Sequence, residues 1–354
     1  MKLLEIDNLR VFFYENFDFF RAVDGISFSI DKGDFFALIG ESGSGKTVTA
    51  NSILGLIDRS PGIVSGQINY NGQNLLTGLS EGCRIVENKG QVYSIEKNSR
   101  WERLFQERLQ KIRGKEISMI FQEPVSSLDP YFKVGEQLTE MLLRLNLAED
   151  INGAKDKAIY WLDKVSLKNS SIIFDSYPHE LSGGMCQRVM IALALCCEPD
   201  FLIADEPTTS LDVTIQREIM LLLQQLREKL KLTVLFITHD ISLVKNFADK
   251  IAVLYRGRLI ESGTAEDIIK DSNKIFHPFT ERLISQSYFK RNEEYKLRQE
   301  SSFITVKFRP DRGCIYFPHC IPRLMKCNEK SPPKIHLNDT HRIYCWLHES
   351  LNDD

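Results

Sequence analysis

Short apolar runs alternate with longer segments of helical spacing along the first two-thirds of the chain. Leu3 to Leu9, Arg21 to Ile30 and Asp34-Phe35-Phe36-Ala37-Leu38-Ile39 read as strands, the last apolar at successive positions as a doubly buried strand is. Gly62 to Gly72 continues as a strand with turn signals at both ends. Ile117 to Phe121, Phe201 to Ala204, Leu232 to Ile237 and Lys250 to Tyr255 have the same character. Between them, Val48 to Leu56, Val134 to Leu147, Ala154 to Val165, the segment from Leu181 to Cys197, Val213 to Leu230 and Ile241 to Ala248 are spaced as helices. This alternation predicts an α/β core with parallel strands. Residues from about 79 to 115 are charged and lack strand periodicity; from about 270 the pattern decays, and the tail from 309 is rich in Pro, Cys and His.

Between the third strand and the helix after it lies Gly40-Glu41-Ser42-Gly43-Ser44-Gly45-Lys46-Thr47, which satisfies G-x-x-x-x-G-K-[ST] without substitution. Its glycines let consecutive N–H groups turn inward toward phosphate oxygens at the positive end of a helix. Lys46 is then expected at the β- and γ-phosphates and Thr47 on Mg²⁺. A nucleoside triphosphate is the predicted ligand.

Bulk properties narrow the setting. The 354 residues suffice for two or three compact units, and a net charge of −3 with pI near 6.2 gives no basic footprint for nucleic acid. The longest apolar run, Val189 to Cys197, falls far short of a membrane span, and the first residues have no signal-peptide core. The expectation is a cytosolic protein that is recruited if it works at a membrane. Its eight cysteines should then stay reduced.

Further candidates sit at strand ends. Phe201-Leu202-Ile203-Ala204 delivers Asp205, a candidate Mg²⁺ ligand, and Glu206, a candidate general base for the attacking water. Gln122 follows another buried strand and is a candidate for the metal and the water; His239 is a candidate for the γ-phosphate. Leu181-Ser182-Gly183-Gly184-Met185 opens a helix and offers a second anion site, which makes sense if it faces the nucleotide of another subunit.

Taken in order, these segments resemble the ATPase subunits of ABC transporters. Gly40–Thr47 corresponds to Walker A, Gln122 to the Q-loop, Leu181–Met185 to the signature and Asp205-Glu206 to Walker B. Ser210-Leu211-Asp212 matches the D-loop and His239 the H-loop. Ile117-Ser118-Met119-Ile120-Phe121-Gln122-Glu123-Pro124, Ser127-Leu128-Asp129-Pro130, Val134-Gly135-Glu136-Gln137-Leu138 and His277-Pro278-Phe279-Thr280 are similar to the oligopeptide and dipeptide importers. The resemblance implies a RecA-like core with an antiparallel β subdomain and a helical subdomain over about 123–200. It places the ATPase domain at 1–270 and a small Cys-rich extension at 271–354. It further implies ATP and Mg²⁺, with Thr47, Gln122 and Asp205 on the metal, and Glu206, His239 and Gln122 in catalysis. Ser182, Gly183, Gly184 and Asp212 would contact nucleotide. An aromatic residue would stack on adenine, for which Phe17, Phe19 and Phe20 are candidates and Phe20 is chosen. The implied partners are a second ATPase subunit, two membrane permeases and, through the complex, an extracytoplasmic peptide-binding protein, with no nucleic acid. The implied place is the cytoplasmic face of the bacterial cell membrane. Import of nickel or glutathione is the alternative within transport, and a soluble ABC ATPase the alternative outside it. One cassette without a heptad run or basic patch disfavours the latter.

Cys314-x5-Cys320-x6-Cys327-x17-Cys345 lies in a tail with too little apolar periodicity for a core of its own, and such a segment usually needs a staple. Four thiols fit a Cys₄ zinc site, an iron–sulfur cluster, or simply reduced cysteines in a loose tail. The family resemblance implies a [4Fe–4S] cluster, with zinc as the alternative. Nearby His319, His341 and His348 could substitute as ligands, with the surface the expected place of each. Cys186, Cys196, Cys197 and Cys83 carry no motif. The stretch from Leu79 to Arg103 is longer than the family pattern and is expected to be a solvated decoration.

Overall fold

The computed structural model describes residues 1–15, 17–88, 91–209, 211–270, 275–288 and 312–352. In chain order the elements begin with β1 (Lys2–Glu15), β2 (Asp18–Asp31), β3 (Phe35–Ile39), α1 (Lys46–Leu54), β4 (Pro61–Tyr70) and β5 (Gln73–Asn74). There follow α2 (Leu79–Gly82), β6 (Cys83–Asn88), β7 (Gln91–Lys97), α3 (Ser99–Gln110), β8 (Ile117–Ile120), α4 (Pro124–Ser127), α5 (Val134–Arg144) and α6 (Ile151–Lys164). Next come α7 (Ser170–Asp175), α8 (Gly183–Leu195), β9 (Phe201–Asp205), α9 (Val213–Leu230) and β10 (Thr233–Thr238). The chain continues with α10 (Ile241–Val244), β11 (Lys250–Tyr255), β12 (Arg258–Thr264), α11 (Pro278–Tyr288), α12 (Lys326–Glu329), β13 (Lys334–His336) and β14 (Arg342–Tyr344). Two compact units emerge: residues 1–31, 36–105 and 238–354 form the first, and 32–35 with 106–237 the second.

In the first unit, β1 pairs antiparallel with β2 and with β4, placing Phe13 opposite Phe20 and Tyr14 opposite Phe19. A second ladder runs from β3 through parallel β11 to antiparallel β12. Residues 79–103, read from sequence as lacking strand character, instead hold the antiparallel hairpin β6–β7 and the start of α3. Its apolar positions are few, but Val92 packs with Phe12 and Val64, joined by Ile85 and Ile95, while Trp101 stacks on Phe105 at 5.1 Å. A register shift between Val86 and Glu87 breaks the alternation that would mark a strand.

The second unit has β9 between two parallel neighbours: Phe201 pairs with Ile117 of β8 and with Thr233 of β10. Every residue of β9 and β10 is buried, in keeping with their unbroken apolar runs. Side chains cap the starts of α6, α8 and α9. Asp150 accepts from Gly153 N–H at the start of α6, and Asp212 accepts from Thr214 and Ile215 N–H at the start of α9.

Beyond 270, the tail solves its shortage of apolar residues by strand addition. β14 pairs with β12 (Ile343 opposite Glu261) and with β13, and Ile335, Ile343 and Cys345 make a small core of their own. Glu261 on β12 is fully buried at this joint; its carboxylate accepts the His277 backbone N–H at 3.0 Å and meets His341 Nε2 at 2.8 Å. The His277 ring is 1 % exposed, and its Nδ1 accepts the Phe279 N–H at 3.1 Å. Burial, then the neighbouring His348, lowers its pKa to about 3. The folded chain therefore resists a proton that the unfolded chain accepts below the ordinary histidine value of about 6.5. Stability is full above that value and should decline by on the order of 1 kcal/mol per pH unit as pH falls from 6.5 toward 3. Thermal melts across this range check it: His277→Gln should be less stable at pH 8 yet lose less on acidification than the parent chain.

Candidate functional site

The glycine-rich loop in the first unit is shaped by close backbone contacts. A Cβ on Gly40 would lie 2.4 Å from Leu254 O and 2.5 Å from Ser44 Oγ. Gly45 has φ +97, and a Cβ there would lie 2.5 Å from Ala22 O. Both positions demand glycine, Gly45 doubly so. The Lys46 side chain is only 4 % exposed and folds back to donate from Nζ to Gly40 O at 2.8 Å and Glu41 O at 3.0 Å. Ser44 O accepts from Gly257 N–H, and Gly257 O accepts from Asp24 N–H, tying the loop to the turn after β11 and to β2. Thr47 opens α1 beside Lys46, whose N-cap is Gly45.

The same unit carries His239, exposed just beyond β10; the residue before it, Thr238, accepts the Gly40 N–H at 3.4 Å. The three candidate phenylalanines part company. Alternation along β2 sends Phe19 toward the cluster of Phe12, Val64 and Val92, with Tyr14 edge-on at 5.2 Å. Phe17 is 94 % exposed. Phe20 lines a cavity of about 500 Å³ together with Glu41, Ser42, Gly43 and Ser44 of the loop, which singles it out of the three.

In the second unit, the parallel register of Ile120 with Ala204 brings Gln122 and the Asp205-Glu206 pair out at the same ends of adjacent strands. Asp205 is 2 % exposed. Glu206 has φ +44, a left-handed backbone that a carboxylate residue rarely adopts, and its Oε2 accepts from Thr209 Oγ1 at 3.0 Å. Such strain gathers where a side chain must be aimed. Ser182 caps α8, its Oγ accepting the Met185 N–H at 3.3 Å, and Ser182 and Gly183 are exposed. A Cβ on Gly184 would lie 3.1 Å from Ile215, so the start of α8 packs beside the start of α9 where Asp212 is the cap. Ser210 lies outside the described residues.

All four tail cysteines are buried in the first unit. Burial first, then the charges of Cys314, Cys345 and Cys327, pushes the Cys320 thiol up to about 12. Burial likewise lifts Cys345 to about 12, with Cys314 and Cys327 adding to it against a backbone hydrogen bond from Leu347. The coordination expected of the quartet is not displayed: among the described residues, no three His, Cys, Asp or Glu side chains form a metal-holding group. Cys186, Cys196 and Cys197 are buried too. Cys196 is raised to about 12 by burial, and Cys197 Sγ meets Ser118 Oγ at 3.0 Å.

Two features of the site were missed in the sequence. Arg282 of α11 reaches back to pair with the Glu41 carboxylate of the loop. His319 is exposed, as expected, and lines the same cavity as Phe20. Arg282 lies only two residues past His277-Pro278-Phe279-Thr280, so that motif was the available signal. Gln187 was also unmarked: it is fully buried in α8, with both amide atoms unpartnered among the described residues.

The sequence pattern described as ABC transporter matches residues 23–209. The oligopeptide transport ATP-binding protein AppD of Bacillus subtilis (strain 168) is 37 % identical over 349 residues, covering 98 % of this chain and 97 % of that one. The dipeptide transport ATP-binding protein DppD of Escherichia coli (strain K12) is 35 % identical over 353 residues, covering 100 % of this chain and 98 % of that one. Among solved structures, the ATP-binding cassette MJ0796 in a dimeric post-hydrolysis state with ADP and Pi aligns with TM-score 0.59 and 25 % identity, covering 74 % of this chain and 98 % of that one.

Proposed function

The chain belongs to the ABC transporter family, and we propose that it is the ATP-hydrolysing subunit that powers import of di- and oligopeptides through a membrane complex. The observation that carries the reading is the glycine-constrained loop around a buried Lys46, together with end-to-end similarity to peptide-transport ATP-binding proteins. The fold class, an α/β ABC ATPase, supports hydrolysis of ATP to ADP and phosphate.

In this reading, Gly40 to Thr47 bind the triphosphate through backbone N–H groups. Lys46 exchanges its two carbonyl partners for phosphate oxygens, and Phe20 stacks on adenine. The Thr47 hydroxyl, Gln122 amide oxygen and Asp205 carboxylate are hard oxygen donors of the kind Mg²⁺ takes. The metal, when bound, would draw charge from the phosphates. Glu206 accepts the proton of the attacking water as its oxygen bonds to the γ-phosphorus and the bridge to the β-phosphate breaks. Its left-handed backbone supports that assignment by fixing where the carboxylate points. His239 steadies the γ-phosphate. Ser182, Gly183, Gly184 and Asp212 serve the nucleotide of a second ATPase subunit.

Two permeases and an extracytoplasmic peptide-binding protein would complete the assembly at the cytoplasmic face of the bacterial membrane, without nucleic acid. Among the described residues no helix is long and apolar enough to cross a membrane, which fits a subunit attached through others. The peptide cargo rests on the relatives' names.

Glu206→Gln should leave MgATP binding in place while lowering turnover by roughly 100-fold or more. Lys46→Ala should instead weaken binding itself. Equilibrium nucleotide binding and phosphate release, measured side by side, separate the two; undiminished turnover by Glu206→Gln would remove it from the role of base.

Cys314, Cys320, Cys327 and Cys345 are assigned to a [4Fe–4S] cluster, with zinc as the alternative. All four are buried in one unit, and burial holds the Cys320 and Cys345 thiols protonated, so a bound cation would have to displace their protons. Loading requires the four side chains to draw together. Anaerobic purification should yield iron and acid-labile sulfide in equal amounts, lost on Cys320→Ala. Zinc in their place selects the alternative, and the absence of both metals overturns the assignment.

A further inference from the structure

A carboxylate stands in a loop built to hold a polyanion. Glu41 is the second residue of the glycine-rich segment, and its backbone carbonyl already accepts the Lys46 ammonium at 3.0 Å. Its side chain lines the cavity that also includes Phe20 and Ser44, so an ionised Glu41 would repel phosphate brought there. The repulsion is answered from a segment far away in sequence. Arg282 of α11 forms an ion pair with Glu41 across 241 positions of chain.

Arg282 is not a loose surface arginine. Its guanidinium lies over the Phe279 ring at 5.3 Å and the Tyr316 ring at 5.9 Å, and Phe279 is fully buried. Its Nε is buried without a partner among the described residues. Two aromatic faces thus hold the cation in place with less rotamer freedom to lose than a free side chain has. Arg21 and Arg256 line the same cavity, giving its wall a cationic bias against the single carboxylate.

We propose that Arg282, carried by the C-terminal segment, is a positioning residue for nucleotide binding. It neutralises and holds Glu41, so that affinity for a nucleoside triphosphate at the phosphate loop depends on the extension. This rests on the phosphate-loop reading above. The arrangement has a signature that direct ligand contact or general support of the fold lacks. Removing Arg282 exposes a negative charge to the triphosphate, whereas removing Glu41 as well cancels that loss. Removing Glu41 alone frees a cation beside the phosphates and tightens binding.

The test uses the full-length chain and MgATP, with affinities from displacement of a fluorescent ATP analogue at low and at high salt. Arg282→Ala should bind about tenfold more weakly at low salt, and the loss should shrink at high salt as screening shortens the reach of Glu41. Glu41→Gln should bind a few-fold more tightly, by roughly the same electrostatic argument in reverse. The double variant should return to within about twofold of the parent, and Arg282→Lys should retain most of the affinity. Should Arg282→Ala not fold, Arg282→Gln removes the charge while keeping the length. Parent-like affinity after loss of the charge, or a double variant as weak as Arg282→Ala, overturns the proposal. Lys46→Ala is the control for the reading beneath it: unimpaired MgATP binding there would sink the phosphate-loop assignment itself, whatever Arg282 does.

Discussion

Burial of the Lys46 ammonium is the constraint around which the first unit is arranged. A charge removed from water must find oxygen partners, and the Gly40 and Glu41 carbonyls supply them. Those carbonyls can turn toward Lys46 only if the backbone curls tightly, which presses Gly40 against Leu254 O and Gly45 against Ala22 O. The loop therefore depends on the ends of β11 and β2 as much as on its own glycines. What it creates is a cation held by neutral carbonyls at the start of a helix, which in the proposed function it trades for phosphate oxygens.

In the second unit the polar groups at the end of β9 are carboxylates. Its wholly buried β9 ends in Asp205, and the next residue bends into the left-handed region to aim Glu206. Side-chain caps order the starts of α8 and α9, and close packing of Gly184 on Ile215 keeps those starts together. Strand ends and helix starts, not helix bodies or strand middles, carry nearly every polar group assigned a role.

Legibility in the sequence followed signal strength. Doubly buried strands such as β3, β9 and β10 were visible because four or more apolar residues run together, and the loop because its spacing is rigid. The β6–β7 hairpin was invisible: a register shift between Val86 and Glu87 breaks its alternation, and the apolar side chains that anchor it, Cys83, Ile85, Val92 and Ile95 among the described ones, are few. Phe19 and Phe20 part only once the register with β1 is known, since alternate faces of one strand lead to a core and to a cavity. The Arg282–Glu41 pair joins residues 241 positions apart and has no periodic trace at all. The tail was read as needing a staple; it holds to the rest of its unit by pairing β14 with β12 around the buried Glu261.

Function at a membrane is the claim on which the rest of this reading converges, and it is tested most directly by asking what the chain is bound to. Tagged full-length protein, extracted anaerobically in mild detergent and analysed by mass spectrometry, should bring with it two permease chains and a second ATP-binding subunit. Recovery of ribosomal or DNA-repair proteins, with no permease, would contradict the transport reading and leave a soluble ATPase in its place.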